Sequence, residues 1–193
     1  PDALYCGGME RQKDTAGALV DLAREQGAEL PRLHVETDFN EYSSRQIILA
    51  YAEEFAGEGQ AAAQDRNGNY VNVPALERLL EKVLLHWVND DNGKPGRITW
   101  EGFRERILGG LKRVIAENGR GKTILLFTSG GPISAVLQAA LGLTNQETLR
   151  TAWRLANGSV TKFLYNGERL SLASFSETAH LALRRAPTLI TYR

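Results

Sequence analysis

Three things are scarce in this 193-residue chain. Cysteine occurs once, as Cys6. One thiol excludes an internal disulfide framework and suits a reducing compartment, so a cytoplasmic protein is expected. Charge of one sign is not in excess: 23 Lys and Arg balance 23 Asp and Glu, for a net charge of zero. With no basic surplus to neutralise a phosphate backbone, nucleic acid is excluded as a main partner. No apolar run approaches the roughly 20 residues that a membrane span needs, so no membrane partner is expected.

What is present fits one domain. The chain is 42% hydrophobic and 24% charged, enough for a core that removes roughly 70% of the unfolded surface from water. It opens Pro1-Asp2-Ala3, without Met, and enters the apolar "ALYCG" almost at once. The expectation is a single domain over residues 1–193 that lacks its first strand.

Periodicity supplies the order of elements. "ALYCG" and "RLHVE" read as short buried strands. Between them, "MERQKDTAGALVDLAREQGAEL" places Ala16, Leu19, Val20 and Ala23 on one helical face, with a stop at Gly27. "RQIILAYAEEFA" predicts a helix with Ile47, Ile48, Tyr51 and Phe55 inward, followed by a polar, Gly- and Asn-rich loop insertion over 57–74. "ALERLLEKVLLHWV" predicts an amphipathic helix that "DDNGKPG" ends. In the next helix Thr99 is the cap, and Trp100, Phe103, Ile107, Leu111 and Val114 form the apolar stripe. Tyr165-Asn166-Gly167-Glu168 carries the Asn-Gly centre of a type I′ hairpin. Strands alternating with helices, then a hairpin, predict an α/β fold: a three-layer αβα sandwich with a mostly parallel central sheet and a C-terminal hairpin.

The chemistry concentrates in "KTILLFTSGGPISAVLQAALGL". An apolar strand, Ile124 to Phe127, runs into Thr128-Ser129-Gly130-Gly131-Pro132 and then directly into a helix. A strand end feeding a Gly-Gly turn and a helix N-terminus leaves backbone N–H groups aimed at one point, with the helix dipole behind them; such a corner holds anions, phosphate above all. Two similar patterns fail. "GRGKT", Gly119 to Thr123, has Ala116 where a P-loop needs its first Gly, and it precedes the strand instead of following it. "TSGGP" has Phe127 where a nucleophile elbow needs Gly. Arg11, at the start of a helix after a strand, has the fork that clamps phosphate oxygens. Glu36, at the end of the second strand, stands where a general acid is needed.

The ordered set resembles the histidine phosphatase, or phosphoglycerate mutase-like, superfamily. Where that family has Ser-Pro-Leu-x-Arg-Ala-x-x-Thr-Ala, this chain has Arg11, Thr15 and Ala16 in register. Leu-x-Glu-x-x-Phe-Gly-Glu-Trp corresponds to His34–Tyr42, keeping Glu36, Phe39 and Glu41. Trp-x-x-Phe-x-x-Arg is kept as Trp100, Phe103 and Arg106. Val-Ser-His-Gly-Gly-x-Ile becomes Phe127-Thr128-Ser129-Gly130-Gly131-Pro132-Ile133, and Asn157-Gly158-Ser159 stands for Asn-x-Ser.

The resemblance implies a phosphomonoesterase acting through a phosphohistidine on a small phosphorylated substrate. It implies no metal or other cofactor, because arginines and backbone N–H groups supply the positive field. Glu36 becomes the general acid, Ser129 takes the place of a second histidine, and Arg11, Ser129, Gly130 and Gly131 bind phosphate. Asn157 and His180 complete the candidate set, His180 as a substitute for missing positive charge near Ser129. Two departures matter. The chain has no Arg-His-Gly, its histidines being His34, His86 and His180; the nucleophile is expected before Pro1. And Ser129 donates a hydrogen bond but carries no charge. The alternative is a non-catalytic module of the same family that binds a phospho-ligand or a partner. Under either reading, Arg11, Glu36 and the Ser129–Gly131 turn are expected to converge at the carboxyl ends of the parallel strands.

Overall fold

The structure, a computed structural model, describes residues 1–51, 54–55, 73–90, 98–166, 169–184 and 186–192. In chain order the elements are β1 (Ala3–Cys6), α1 (Glu10–Glu25), β2 (Leu33–Val35), α2 (Ser44–Ala50), α3 (Val73–Val88), α4 (Trp100–Asn118), β3 (Ile124–Phe127), α5 (Gly130–Leu141), α6 (Asn145–Ala152), β4 (Val160–Tyr165), β5 (Leu170–Glu177) and α7 (Ala179–Ala182). They fall into two compact units, Pro1–Glu41 with Arg104–Arg193, and Tyr42–Phe103. The fold is α/β, with a parallel sheet and a C-terminal antiparallel hairpin.

The first unit is built on a parallel sheet ordered β2-β1-β3. All four residues of β1 are buried, so both faces of the central strand are covered, as a parallel sheet requires. Helix α1 packs on β1 and β3. Its buried face runs through Gln12 and Ala16, one turn apart, so the predicted apolar stripe begins with a polar residue. At the amino edge, Asp2 ties β1 to β3: its carboxylate accepts from the Thr123 N–H (2.8 Å) and from Lys122 Nζ (3.0 Å). The Thr123 amide, then Lys122, hold the Asp2 carboxyl below its ordinary pKa. "GRGKT" therefore lies at the amino ends of the strands, away from the Thr128 turn.

The hairpin β4–β5 forms a sheet of its own. Exposure alternates residue by residue along β4, and β5 packs against α5. Asn166 N–H donates to Arg169 O at 3.2 Å, closing the hairpin where the Asn-Gly turn was expected; Gly167 and Glu168 lie outside the described residues. Tyr165 Oη reaches Gly119 O (3.0 Å) and Lys122 O (3.2 Å), anchoring the hairpin to the loop that enters β3.

In the second unit, α3 buries Ala75, Leu79, Val83, Leu84, Trp87 and Val88, and α2 buries Ile47. Tyr42, Trp87, Trp100 and Phe103 form one aromatic cluster with ring centroids 4.9–6.2 Å apart. Trp87 Nε1–H donates to Ile98 O at 2.6 Å, satisfying its one polar atom. The expected insertion over 57–74 needs a correction at its end: Val73 and Pro74 open α3, Pro being at home in a first turn, while the rest lies outside the described residues.

Helix α4 begins at Thr99, whose Oγ1 accepts from Gly102 N–H at 3.1 Å. Its buried side holds Trp100, Phe103, Ile107 and Val114, but the intervening buried position is Gly110, and Leu111 is half-buried. A Cβ on Gly110 would lie 2.9 Å from Asp38 Cβ and 3.3 Å from the Phe39 ring, so the bare helix surface admits the loop after β2. Gly110→Ala is expected to destabilise the chain by about 1–3 kcal/mol through overpacking. Gly17→Ala, where a Cβ meets nothing within 4 Å, should stabilise it by up to about 1 kcal/mol. Urea unfolding of both variants checks the pair; equal shifts would mean that the loop does not depend on Gly110.

Candidate functional site

Register brings three chain segments to one edge. Cys6 pairs with Val35 on one side and with Phe127 on the other, so β1, β2 and β3 end level. Glu36 N–H then donates to Cys6 O (2.8 Å), and Gly7 N–H to Phe127 O (3.0 Å). The β1–α1 turn, the loop after β2 and the Thr128–Gly131 turn therefore leave the sheet side by side.

The loop after β2 turns through a short 3-10 segment, Thr37–Phe39, with Phe39 fully buried. The Arg106 guanidinium on α4 donates to the carbonyls of Thr37 (3.0 Å), Asp38 and Asn40 (3.1 Å). Arg113 pairs with the Asp38 carboxylate. Asn40 Oδ1 accepts from Gly8 N–H at 2.6 Å, joining this loop to the β1–α1 turn. Burial holds the Arg106 pKa below its ordinary value, and the Glu41 carboxylate offsets only part of that.

At the Thr128 turn, Ser129 is the N-cap of α5, and its side chain does not cap the helix. The Gly131 N–H instead donates to Glu41 Oε2 at 2.9 Å, in a buried contact. A carboxylate suits that place, since the first N–H groups of a helix lack partners and carry partial positive charge. Gly130 N–H has no hydrogen-bond partner among the described residues. Thr128 Oγ1–H donates to Phe39 O at 2.7 Å. Gln12, only 2% exposed, reaches into the same corner: Nε2 lies 3.0 Å from Ser129 Oγ, 3.1 Å from Phe39 O and 3.4 Å from Thr128 Oγ1.

The predicted site residues are placed unequally. Ser129, Gly130 and Gly131 form the turn, and Glu36 stands half-buried at the end of β2, its side chain unbonded to the described residues. Arg11 is on the first turn of α1 but exposed, without a side-chain partner among the described residues; the next residue, Gln12, is the one that enters the corner. Asn157 Nδ2–H donates to Thr191 Oγ1 at 3.0 Å, and the His180 ring bonds Gly158 O at 3.0 Å. Neither side chain makes a hydrogen bond to Ser129. His34 is exposed beside the Tyr5 ring, and His86 pairs with Glu54 in the other unit. Gln12, Asn40 and Arg106 hold the corner although none of them was expected in the site. The spacing Gly7-Gly8-x-x-x-Gln12 contained a signal, because a Cβ on Gly7 would lie 1.9 Å from Gln12 Oε1. Among the described residues no group of three His, Cys, Asp or Glu side chains is placed to hold a metal ion, and no helix is long and apolar enough to cross a membrane.

A parallel sheet whose carboxyl edge carries a glycine turn opening a helix defines an α/β protein of the strand–turn–helix kind. The histidine phosphatase superfamily (branch 1) matches residues 67–178, more than half of the chain. The chain belongs to that superfamily. Solved structures of similar fold include a phosphoserine phosphatase mutant from Entamoeba histolytica in complex with phosphoserine. It is 16% identical with a TM-score of 0.60, over 93% of this chain and 76% of that one. A mycobacterial glucosyl-3-phosphoglycerate phosphatase is 18% identical with a TM-score of 0.56, over 92% and 78%. Mycobacterial hydrolase 2 is 18% identical with a TM-score of 0.55, over 100% and 79%. Comparison with curated proteins gives no match.

The loop after β2 hangs on Arg106, whose fork holds the carbonyls of Thr37, Asp38 and Asn40 together. Arg106→Ala should cost roughly 2–3 kcal/mol in urea unfolding, and Arg106→Lys should recover less than half, because an ammonium cannot span the three acceptors. A loss under about 0.5 kcal/mol for Arg106→Ala would show that the Asn40 and Gln12 bonds suffice.

Proposed function

We propose that this chain supplies the phosphoryl-binding framework of a cytoplasmic phosphomonoester hydrolase that acts on a small phosphorylated substrate through a phosphohistidine. The observation that supports this most directly is the common register of β1, β2 and β3 at the Thr128 turn, in a chain of the histidine phosphatase superfamily. Two structures of similar fold are phosphatases named for phosphoserine and for glucosyl-3-phosphoglycerate.

The roles follow from placement. The Gly130 N–H and the Ser129 hydroxyl meet phosphoryl oxygens at the N-terminus of α5. Arg11, exposed and unbonded on the first turn of α1, swings onto the remaining oxygens. Glu36 protonates the leaving oxygen from the end of β2. The attacking imidazole is none of His34, His86 and His180 and comes from an Arg-His-Gly segment outside these 193 residues. No metal or other cofactor is assigned a part.

Two observations favour a second reading, a phospho-ligand or partner-binding module without turnover. Gly131 N–H is already taken by the Glu41 carboxylate, and the turn offers a hydroxyl where a charged imidazole would stabilise the developing charge.

The test is hydrolysis of phenyl phosphate by the 193-residue chain and by the product of its whole gene. The chain alone should show no turnover, since positioning without a nucleophile leaves only weak catalysis. The whole product should hydrolyse the ester. Phosphate binding without hydrolysis in the whole product would establish the second reading, and ordinary turnover by the chain alone would place the nucleophile within it. In an active whole product, Ser129→His should raise kcat about five- to tenfold, because a charged donor adds roughly 1 kcal/mol in the transition state. That gain should fade as pH rises above ~7, where the imidazole loses its proton. A variant slower at every pH would mean that the hydroxyl itself is a working part.

A further inference from the structure

We propose that Gln12 is a positioning residue that turns Ser129 into a hydrogen-bond donor for an oxyanion. The inference rests on the phosphate-binding reading of the turn and adds to it the group that sets its polarity.

Gln12 is 98% buried on the first turn of α1, so each end of its amide needs a partner inside the protein. Oε1 is 3.3 Å from Met9 N–H, which can only donate, and Nε2 is 3.1 Å from Phe39 O, which can only accept. Those two contacts fix which end of the amide is which. Nε2 therefore also donates to Ser129 Oγ, 3.0 Å away. A hydroxyl has one proton. Thr128 spends its own on Phe39 O, at 2.7 Å. Ser129, accepting from Gln12, must send its proton elsewhere, and no described residue accepts it. The Ser129 O–H and the neighbouring Gly130 N–H are thus two adjacent donors without acceptors. They suit a ligand that presents acceptor oxygens, such as a phosphoryl group. Gln12 touches no ligand; it acts through Ser129. The room for it comes from Gly7, where a Cβ would overlap Oε1.

The test is a double-mutant cycle on the 193-residue chain, with inorganic phosphate as the probe. Backbone amide signals of Gly130 and Gly131 are followed by heteronuclear NMR during the titration. Ser129→Ala should weaken binding about fivefold, the effect of one neutral hydrogen bond. Gln12→Met, similar in volume but without donors, should weaken it about threefold on its own and not at all in the Ser129→Ala background. Independent, multiplying losses, or no loss with Gln12→Met, would overturn the proposal while leaving the phosphate site standing. Failure of the unsubstituted chain to bind phosphate would overturn the site and this inference together. Should Gln12→Met not fold, the side-chain amide protons of Gln12 give the answer: phosphate should shift them in the unsubstituted chain and not in Ser129→Ala. Equal shifts in both would refute the coupling.

Discussion

A carboxamide shut away from water must find partners for both its ends or cost the fold several kcal/mol. Gln12 finds them in three segments that are far apart in sequence: Met9 beside it on the β1–α1 turn, Phe39 on the loop after β2, and Thr128 and Ser129 after β3. The strands deliver these segments to one edge, but the sheet register only sets their height. Their spacing across the edge is set by this amide, together with the Gly8–Asn40 bond and the Arg106 fork. The glycines Gly7, Gly8 and Gly110 fit the same scheme. Each is a place where a Cβ would crowd the loop after β2 or the Gln12 amide itself.

The charges around the corner largely offset one another. The helix end attracts negative charge, and Glu41 supplies it internally at Gly131. Arg106 offsets Glu41 electrostatically, and three of its hydrogen bonds go to backbone carbonyls. What the turn leaves unused is directional, the Ser129 O–H and the Gly130 N–H, while Arg11 on the first turn of α1 is exposed.

The sequence announced the architecture because its elements follow rules of local physics. Alternation and short apolar runs marked the strands, and Thr99 marked the start of α4 with a side chain that does cap it. The level ending of β1, β2 and β3 was implied by each motif following a strand directly. The identity of the residues that hold the corner was harder to read. Gln12 sits in a run of charged and polar residues, "ERQKD", where exposure is the ordinary expectation, and only its long-range contacts bury it. Arg106 was visible as a motif residue, but the three loop carbonyls that its guanidinium holds were not. Glu41 was visible as a motif residue, but a backbone amide ninety positions later is not a partner that spacing can reveal. Gly110 interrupts an otherwise regular stripe, and its reason lies wholly in Asp38 and Phe39.

The lone thiol has a consequence of another kind. Cys6 is the last residue of the central strand, fully buried, and burial raises its pKa, so it is both shielded and poor in thiolate. It pairs with Val35 on one side and Phe127 on the other, which places its sulfur at the junction where all three segments leave the sheet. A thiol reagent can reach it only when that junction parts. The chain thus carries a native chemical stopwatch for the opening of its own working edge. With no second thiol to confuse the signal, the rate of labelling follows the opening of the closed arrangement.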